Sequence, residues 1–141
     1  MYSLIFFEKG YYTDKRKEWR LNKKSHRKKG PAIEYYKGIK IWAINGLLHR
    51  SGNLPAIECP NENNEYWEDG QRYLIQENGT KEFIDLQGKL NRLKDLPAVE
   101  YPNGDKEWWR WGKRHREDGP AVIYGNKQFW FEDGEFIKCM L

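Results

Sequence analysis

Three His-Arg pairs are the residues of this sequence best suited to chemistry. The pairs are His26-Arg27, His49-Arg50 and His115-Arg116. An imidazole can serve as a general base or a metal ligand, and a guanidinium binds phosphate or carboxylate through two parallel hydrogen bonds. Each pair is soon followed by Pro-Ala. The chemistry therefore depends on whether the pairs form a catalytic site or belong to a repeated structural unit.

The His-Arg pairs belong to a longer repeated pattern. A Trp stands seven residues before each of the three His residues, and Gly-Pro-Ala or Leu-Pro-Ala follows. A further copy has Phe83 for Trp and Asn91 for His, and Lys23 takes the Gly position of the first copy. The pattern predicts about six units of roughly 22 residues. Its framework residues are Trp19, Trp42, Trp108, His26, His49, His115, Arg27, Arg50, Arg92, Arg116, Pro31, Pro55, Pro97 and Pro120.

The turn residues favour short strands over helices, because Pro and Gly recur too often for a helix longer than two turns. Three Asn-Gly pairs predict type I′ hairpin turns, whose two central residues have positive φ. They are Asn45-Gly46, Asn78-Gly79 and Asn103-Gly104. We predict one strand over 39–44 and a second that begins near 47–50, bends, and resumes at 56–58. The predicted fold is all-β, an antiparallel meander of stacked β-hairpins in an open, elongated, twisted sheet.

The repeated pattern resembles the MORN repeat, and more closely its degenerate variant in bacterial, phage and giant-virus proteins. The resemblance runs from about Trp19 to Phe136 and rests on the Trp, Gly, His-Arg and Gly-Pro-Ala positions. It implies a meandering sheet that serves as a binding scaffold. Bacterial members look like partners of toxins, and viral members are mostly of unknown role. The hypothesis that we favour is a scaffold that binds a protein partner, as in a phage or viral inhibitor of a host defence or toxin.

The same pattern sets the predicted domain organisation. We expect one repeat domain over 1–141, with a cap strand at 1–14, hairpin repeats over 15–137 and a tail at 138–141. The amino end lacks a secretory signal, and Cys59 and Cys139 are solitary, which indicates reduced thiols in the cytoplasm, or in the host cytoplasm for a viral protein. An exposed terminal strand edge would also allow a homodimer.

Spacing argues against a metal site or a catalytic site. Equivalent residues of adjacent hairpins lie about 10 Å apart, so repeated His residues cannot share one zinc ion. A nuclease-like site at His115, Arg116, Glu117 and Asp118 would exist in one repeat only. We therefore expect no catalytic residue, no metal and no cofactor. The His and Arg side chains are instead expected to donate to carbonyls where the strand breaks before Gly-Pro, and the Trp row to form the core.

Charge points to a binding surface. Residues 15–29 carry a net charge of +8, whereas the whole chain carries +4. The basic patch predicted for binding comprises Lys23, Lys24, Arg27, Lys28 and Lys29. Two functions follow: a non-enzymatic scaffold that binds a protein partner, or a nucleic-acid or nucleotide binder that uses this patch and exposed aromatics. A degenerate-repeat enzyme such as a nuclease is the third alternative.

Overall fold

The computed structural model describes residues 1–8, 10 and 14–141. Residues 9 and 11–13 lie outside the described residues, so the predicted cap strand over 1–14 is described only in part. All regular secondary structure in the described part of the chain is β-strand, and every pairing is antiparallel, which confirms the predicted all-β antiparallel fold. The chain divides into two compact units, Met1–Gly70 and Gln71–Leu141.

The first unit contains one sheet, a separate short hairpin, and a ninth strand, which belongs to neither of them. Its strands are β1 Tyr2–Phe7, β2 Arg16–Leu21, β3 Lys24–Ser25, β4 Ile33–Tyr35, β5 Lys40–Ile41, β6 Ala43–Ile44, β7 Leu47–Leu48, β8 Ile57–Glu58 and β9 Tyr66–Glu68. The sheet has the order β1-β2-β4-β5-β8, with β3 paired to β2, and β6 pairs with β7. Neighbours in this sheet follow the order of the chain, as in a meander.

The second unit repeats this plan. Its strands are β10 Gln71–Ile75, β11 Lys81–Ile84, β12 Val99–Glu100, β13 Lys106–Glu107, β14 Trp109–Arg110, β15 Lys113–Arg114, β16 Val122–Tyr124, β17 Lys127–Glu132 and β18 Glu135–Met140. Strands β10 to β13 and β16 to β18 lie side by side in chain order, while β14 and β15 form a separate hairpin. Strand β18 includes the residues that the sequence assigns to a tail, 138–140.

The Pro-Ala alanines anchor each repeat in the core. All four of these alanines are fully buried, and each carbonyl accepts a hydrogen bond from the backbone N–H of the aromatic residue at the Trp position. These donor and acceptor pairs are Trp19 and Ala32, Trp42 and Ala56, Phe83 and Ala98, and Trp108 and Ala121, at 2.7–2.8 Å. An alanine leaves room for the close backbone approach that this arrangement requires.

The strand predicted over 39–44 is interrupted at Trp42, so that prediction is wrong in its continuity. β5 ends at Ile41 in the main sheet, and β6 begins at Ala43 in the separate hairpin. The interruption has a clear cause: the N–H of Trp42 bonds to Ala56 and its carbonyl accepts from His49, so this residue joins two different partners. Trp108 breaks β13 from β14 in the same way.

Two kinds of turn connect the strands. Asn45 and Gly46 have φ values of 50° and 81°, which confirms a type I′ turn there. The same prediction is wrong at Asn78-Gly79 and Asn103-Gly104, where only the glycine has positive φ. In these turns the Asn side chain accepts from the backbone N–H two residues later, at 2.9 and 3.0 Å, and the φ of the Asn itself is not positive.

No helix among the described residues is long and apolar enough to cross a membrane. Cys59 and Cys139 are both free thiols.

Candidate functional site

The four repeat arginines make the same two contacts. Each guanidinium lies over the aromatic ring at the Trp position, with its central carbon 3.7–3.9 Å from the ring centre. Each also donates from Nη1 to the carbonyl of the repeat proline at 3.0–3.2 Å. The arginines are Arg27, Arg50, Arg92 and Arg116. The predicted bond from the guanidinium to a carbonyl is confirmed, and stacking on the ring adds a cation–π contact.

The histidines act as acceptors, so the prediction that they donate to the strand-break carbonyls is wrong. Each Nδ1 accepts the backbone N–H of the first residue of the following type I′ turn. The donors are Asn45 for His26, Asp69 for His49 and Asp133 for His115, at 3.0–3.1 Å. A type I′ turn directs this N–H out of its own hairpin, and the imidazole of the preceding repeat satisfies it.

Asn91 shows that this position needs only an acceptor. Its Oδ1 accepts the N–H of Trp111 at 3.0 Å, in the geometric role that the imidazole Nδ1 has elsewhere. An amide oxygen thus replaces the ring nitrogen without loss of the connection between repeats. The recurring His-Arg pair is therefore part of the repeat framework, and its Nδ1 and Nη1 atoms are already engaged.

The three repeat tryptophans are equivalent in backbone contacts but differ in burial. Trp108 is buried, with 7% of its surface exposed, and its indole N–H donates to the Asp95 carbonyl at 3.0 Å. Trp19 and Trp42 are only half-buried. The expectation of burial is confirmed most fully for Trp108, whereas Trp19 and Trp42 keep more of their surface exposed although an arginine stacks on all three rings.

Two buried glutamates precede repeat tryptophans, and the sequence reasoning missed both. Glu18 accepts from Arg20 at 2.9 Å and from Ser25 at 2.6 Å. Burial opposes its ionisation, but these hydrogen bonds and the positive charge of Arg20 hold the pKa of Glu18 below its ordinary value. A carboxylate that accepts so many hydrogen bonds is a structural group. The recurrence of Glu before Trp was the signal that could have identified it.

Glu107 occupies the same position in the second unit. It accepts from Trp109 at 3.1 Å, from Arg114 at 2.8 Å and from the Tyr124 hydroxyl. Burial of the phenol and the hydrogen bond to this carboxylate raise the pKa of Tyr124 well above its ordinary value. The cluster is saturated by its own side chains, so it offers no general base.

The predicted basic patch divides into two groups. Arg27 is engaged by Trp19 and Pro31, as described, and lies 3.8 Å from Glu34. The other four residues are exposed and form no ion pair with any described residue. We call these four the lysine cluster: Lys23, Lys24, Lys28 and Lys29.

Lys23 has an unfavourable backbone conformation. Its φ is 68°, in the second position of a turn where other type I′ turns of this chain have glycine, such as Gly46. A side chain costs about 1–2 kcal/mol in this conformation. The chain thus holds a cation on the surface at a position that disfavours any residue but glycine.

A cleft lies beside the lysine cluster. Its volume is about 290 Å³, and its lining is mostly apolar. We call it the His26 cleft, after the imidazole in its wall. Its lining residues are Tyr2, Ser3, Leu4, Trp19, His26, Arg27 and Lys28. The structure thus brings the first repeat Trp, His and Arg together with one member of the lysine cluster.

A corresponding cleft of 200 Å³ lies at the last complete repeat, and we call it the His115 cleft. Its rim is acidic as well as basic. Arg116 donates to both carboxylate oxygens of Asp95 at 3.0 and 3.3 Å, and Glu117 and Asp118 stand where the first repeat has Lys28 and Lys29. The two clefts therefore share a framework but differ in charge.

Trp111 is a third residue that the sequence reasoning missed. It is 65% exposed and has a φ of 50°, which is unusual for an aromatic residue. Exposed tryptophan is enriched in protein interfaces. Its position directly before Gly112, in the slot that Asn or Asp fills in other type I′ turns, was the available signal.

The described residues hold no group of three or more His, Cys, Asp and Glu side chains placed to bind a metal ion. Comparison with models of known protein families, with curated proteins and with solved structures finds no match to this chain.

Proposed function

We propose that this chain is a non-enzymatic repeat scaffold, of the kind that the MORN-like pattern implies, and that it binds a protein partner. The observation that carries the proposal is the lysine cluster beside the His26 cleft, where exposed cations without ion pairs adjoin half-buried Trp19 and exposed Tyr2 and Leu4. An apolar centre with a charged rim is the usual anatomy of a protein interface.

The state of the repeat motif supports binding over catalysis. Its arginines and the Nδ1 atoms of its histidines are engaged by the framework, and the buried glutamates are saturated by hydrogen bonds. General acid–base catalysis requires a group that is free to exchange a proton with substrate. Exposed Trp111 offers a further aromatic contact for a partner.

Nucleic-acid or nucleotide binding is the second candidate, and the unpaired lysine cluster favours it. Each phosphate that a lysine neutralises contributes a slope of about −0.7 to −0.9 to log affinity against log salt. Four such contacts would weaken binding more than tenfold between about 50 and 200 mM salt. An acidic protein partner responds to salt mainly through its association rate.

The test compares two variants of equal charge. One replaces the lysine cluster with glutamine; the control replaces four exposed lysines of the second unit, namely Lys89, Lys106, Lys113 and Lys127. Capture from nuclease-treated extract is followed by binding of the purified partner. We expect a protein whose affinity falls at least about tenfold in the cluster variant and stays unchanged in the control.

Direct binding to single-stranded and duplex nucleic acid at about 50 and 200 mM salt completes the experiment. We expect weak binding that disappears at the higher salt. Tight nucleic-acid binding that persists there, together with equal protein capture by both variants, would replace the protein-partner proposal with the second candidate.

Origin and location belong to the same proposal. The resemblance supports a phage or viral protein that inhibits a host defence or toxin. Two free thiols support action in the host cytoplasm. An added strand at a sheet edge would support a homodimer.

A further inference from the structure

The imidazole of His26 has an unused donor. Since Nδ1 accepts the Asn45 N–H, the neutral ring carries its hydrogen on Nε2. His26 is 3% exposed, and Nε2 is buried without a hydrogen-bond partner in the described part of the chain. A buried donor without an acceptor costs about 1–3 kcal/mol. The framework does not need this donor, because Asn91 maintains the equivalent connection with an amide oxygen.

Comparison among the histidines narrows the location of a ligand. The Nε2 of His49 lies 3.3 Å from the Ser51 hydroxyl, so that ring is satisfied at both nitrogens. His26 and His115 both have an unpartnered Nε2, and both line a cleft. Each Nε2 has almost no accessible surface, so an acceptor that enters either cleft would complete the ring only by displacing the atoms that cover this nitrogen.

Charge distinguishes these two clefts. At His115, Asp95, Glu117 and Asp118 offset the arginines, and Asp95 already occupies Arg116. At His26, the loop carries Lys28 and Lys29 without ion pairs among the described residues, and no carboxylate lines the cleft. The complementary ligand at His26 is therefore an anionic acceptor.

The lining and the volume of the His26 cleft indicate which kind of anionic ligand it fits. Tyr2, Leu4 and Trp19 give the His26 cleft an apolar lining, and its volume of 290 Å³ is at the small end for ligand sites. Phosphate would leave this apolar lining unused. A carboxylate on a short aliphatic stem, with an apolar neighbour, fills both the polar and the apolar parts.

We propose that the His26 cleft holds the carboxylate of an Asp or Glu in an acidic segment of the protein partner. The carboxylate accepts from His26 Nε2 while Lys28 and Lys29 attract the segment, and an adjacent apolar side chain packs on Tyr2, Leu4 and Trp19. This inference rests on the proposed function and names the chemistry of its partner. A hydrogen bond to a charged acceptor is stronger than a neutral one.

The probe is a library of random ten-residue peptides displayed on phage, selected against the full chain. The decisive variant is His26→Asn, which keeps the acceptor for Asn45, as Asn91 does for Trp111, and removes the Nε2 donor. Its matched control is His115→Asn. A second variant, Lys28→Glu with Lys29→Asp, recreates the loop that the chain already folds at 115–119.

We expect selected peptides to contain Asp or Glu beside Leu, Ile or Phe. Their affinity should fall about tenfold or more in His26→Asn and in the charge-swapped loop, and stay unchanged in His115→Asn. When the acidic residue of a selected peptide is replaced with its amide, the affinity for the unmodified chain should fall strongly. The affinity for His26→Asn should change little. This coupling distinguishes a direct contact from a change in fold.

Peptides without acids, or acidic peptides that bind His26→Asn as tightly as the unmodified chain, overturn the inference. So does a selection that yields no peptide specific to the unmodified chain. A captured partner that still requires the lysine cluster but ignores His26→Asn defeats this inference alone. Failure to capture any protein whose binding depends on the lysine cluster defeats the proposed function itself.

Discussion

The first and last complete repeats, 19–32 and 108–121, share one framework and differ in what covers it. In both, an arginine stacks on the tryptophan and an imidazole accepts a turn N–H. At Trp108, the Asp95 carbonyl accepts from the indole, and the Asp95 carboxylate pairs with the stacked arginine. Trp19 instead lines an apolar cleft and remains half-buried.

The difference originates in a loop of the preceding copy. Lys94 and Asp95 have φ values of 62° and 53°, and these left-handed conformations bring Asp95 to Trp108 and Arg116. The loop therefore decides whether the stacked pair is covered or accessible. The comparison teaches that the framework contacts make the repeat, whereas short loops around it determine which copy can bind.

The largest effect expected from this comparison concerns the two tryptophans. Trp108→Ala should lower the free energy of unfolding by about 3–5 kcal/mol, because it removes a buried ring and leaves a cavity. Trp19→Ala should cost roughly half as much, since its ring is partly open. Urea denaturation of both variants measures the difference. An equal loss in both would mean that the Asp95 loop does not protect the ring.

A smaller effect is expected at the buried carboxylates. Glu18→Gln should lower stability at neutral pH by about 1.5–3 kcal/mol, since it weakens the charged hydrogen bonds from Arg20 and Ser25. Glu107→Gln should lose a similar amount, while Tyr124→Phe tests the second unit's cluster alone. Thermal denaturation of the three variants measures these losses of stability.

The same glutamate also predicts a pH dependence. Because the pKa of Glu18 is lower in the folded state than in the unfolded chain, its contribution is complete above the unfolded pKa. The contribution is lost as pH falls through the folded pKa. Stability should therefore decline less steeply in acid for Glu18→Gln than for the unmodified chain. Parallel curves for the two proteins would contradict this assignment.

The smallest effect is expected at Lys23. Lys23→Gly should stabilise the chain by up to about 1 kcal/mol, because glycine adopts its φ of 68° without strain. Gly112→Lys, at the matching position of the last complete repeat, should destabilise by a similar amount. Its added Cβ would lie 3.5 Å from Lys89, an ordinary contact, so the backbone dominates. A loss of stability in Lys23→Gly would show that the lysine side chain stabilises the turn.

The sequence predicted the framework better than the site. Periodic Trp, Arg and Pro-Ala residues indicated the repeat because each occupies a position with one set of neighbours. The break at Trp42 could not be predicted, since strand patterns do not show that one residue's N–H and carbonyl serve different partners. The direction of the His26 hydrogen bond and the cover over Trp108 depend on turns and loops distant in sequence.

The bond between an imidazole and the following turn gives the array a direction. Each acceptor is synthesised before its donor, which follows 18–20 residues later in the chain. During synthesis, each repeat therefore leaves this contact open until the following turn has been made. A duplicated repeat would carry both the acceptor side chain and the turn that donates to it. Gene duplication could therefore lengthen the array without requiring a new kind of contact.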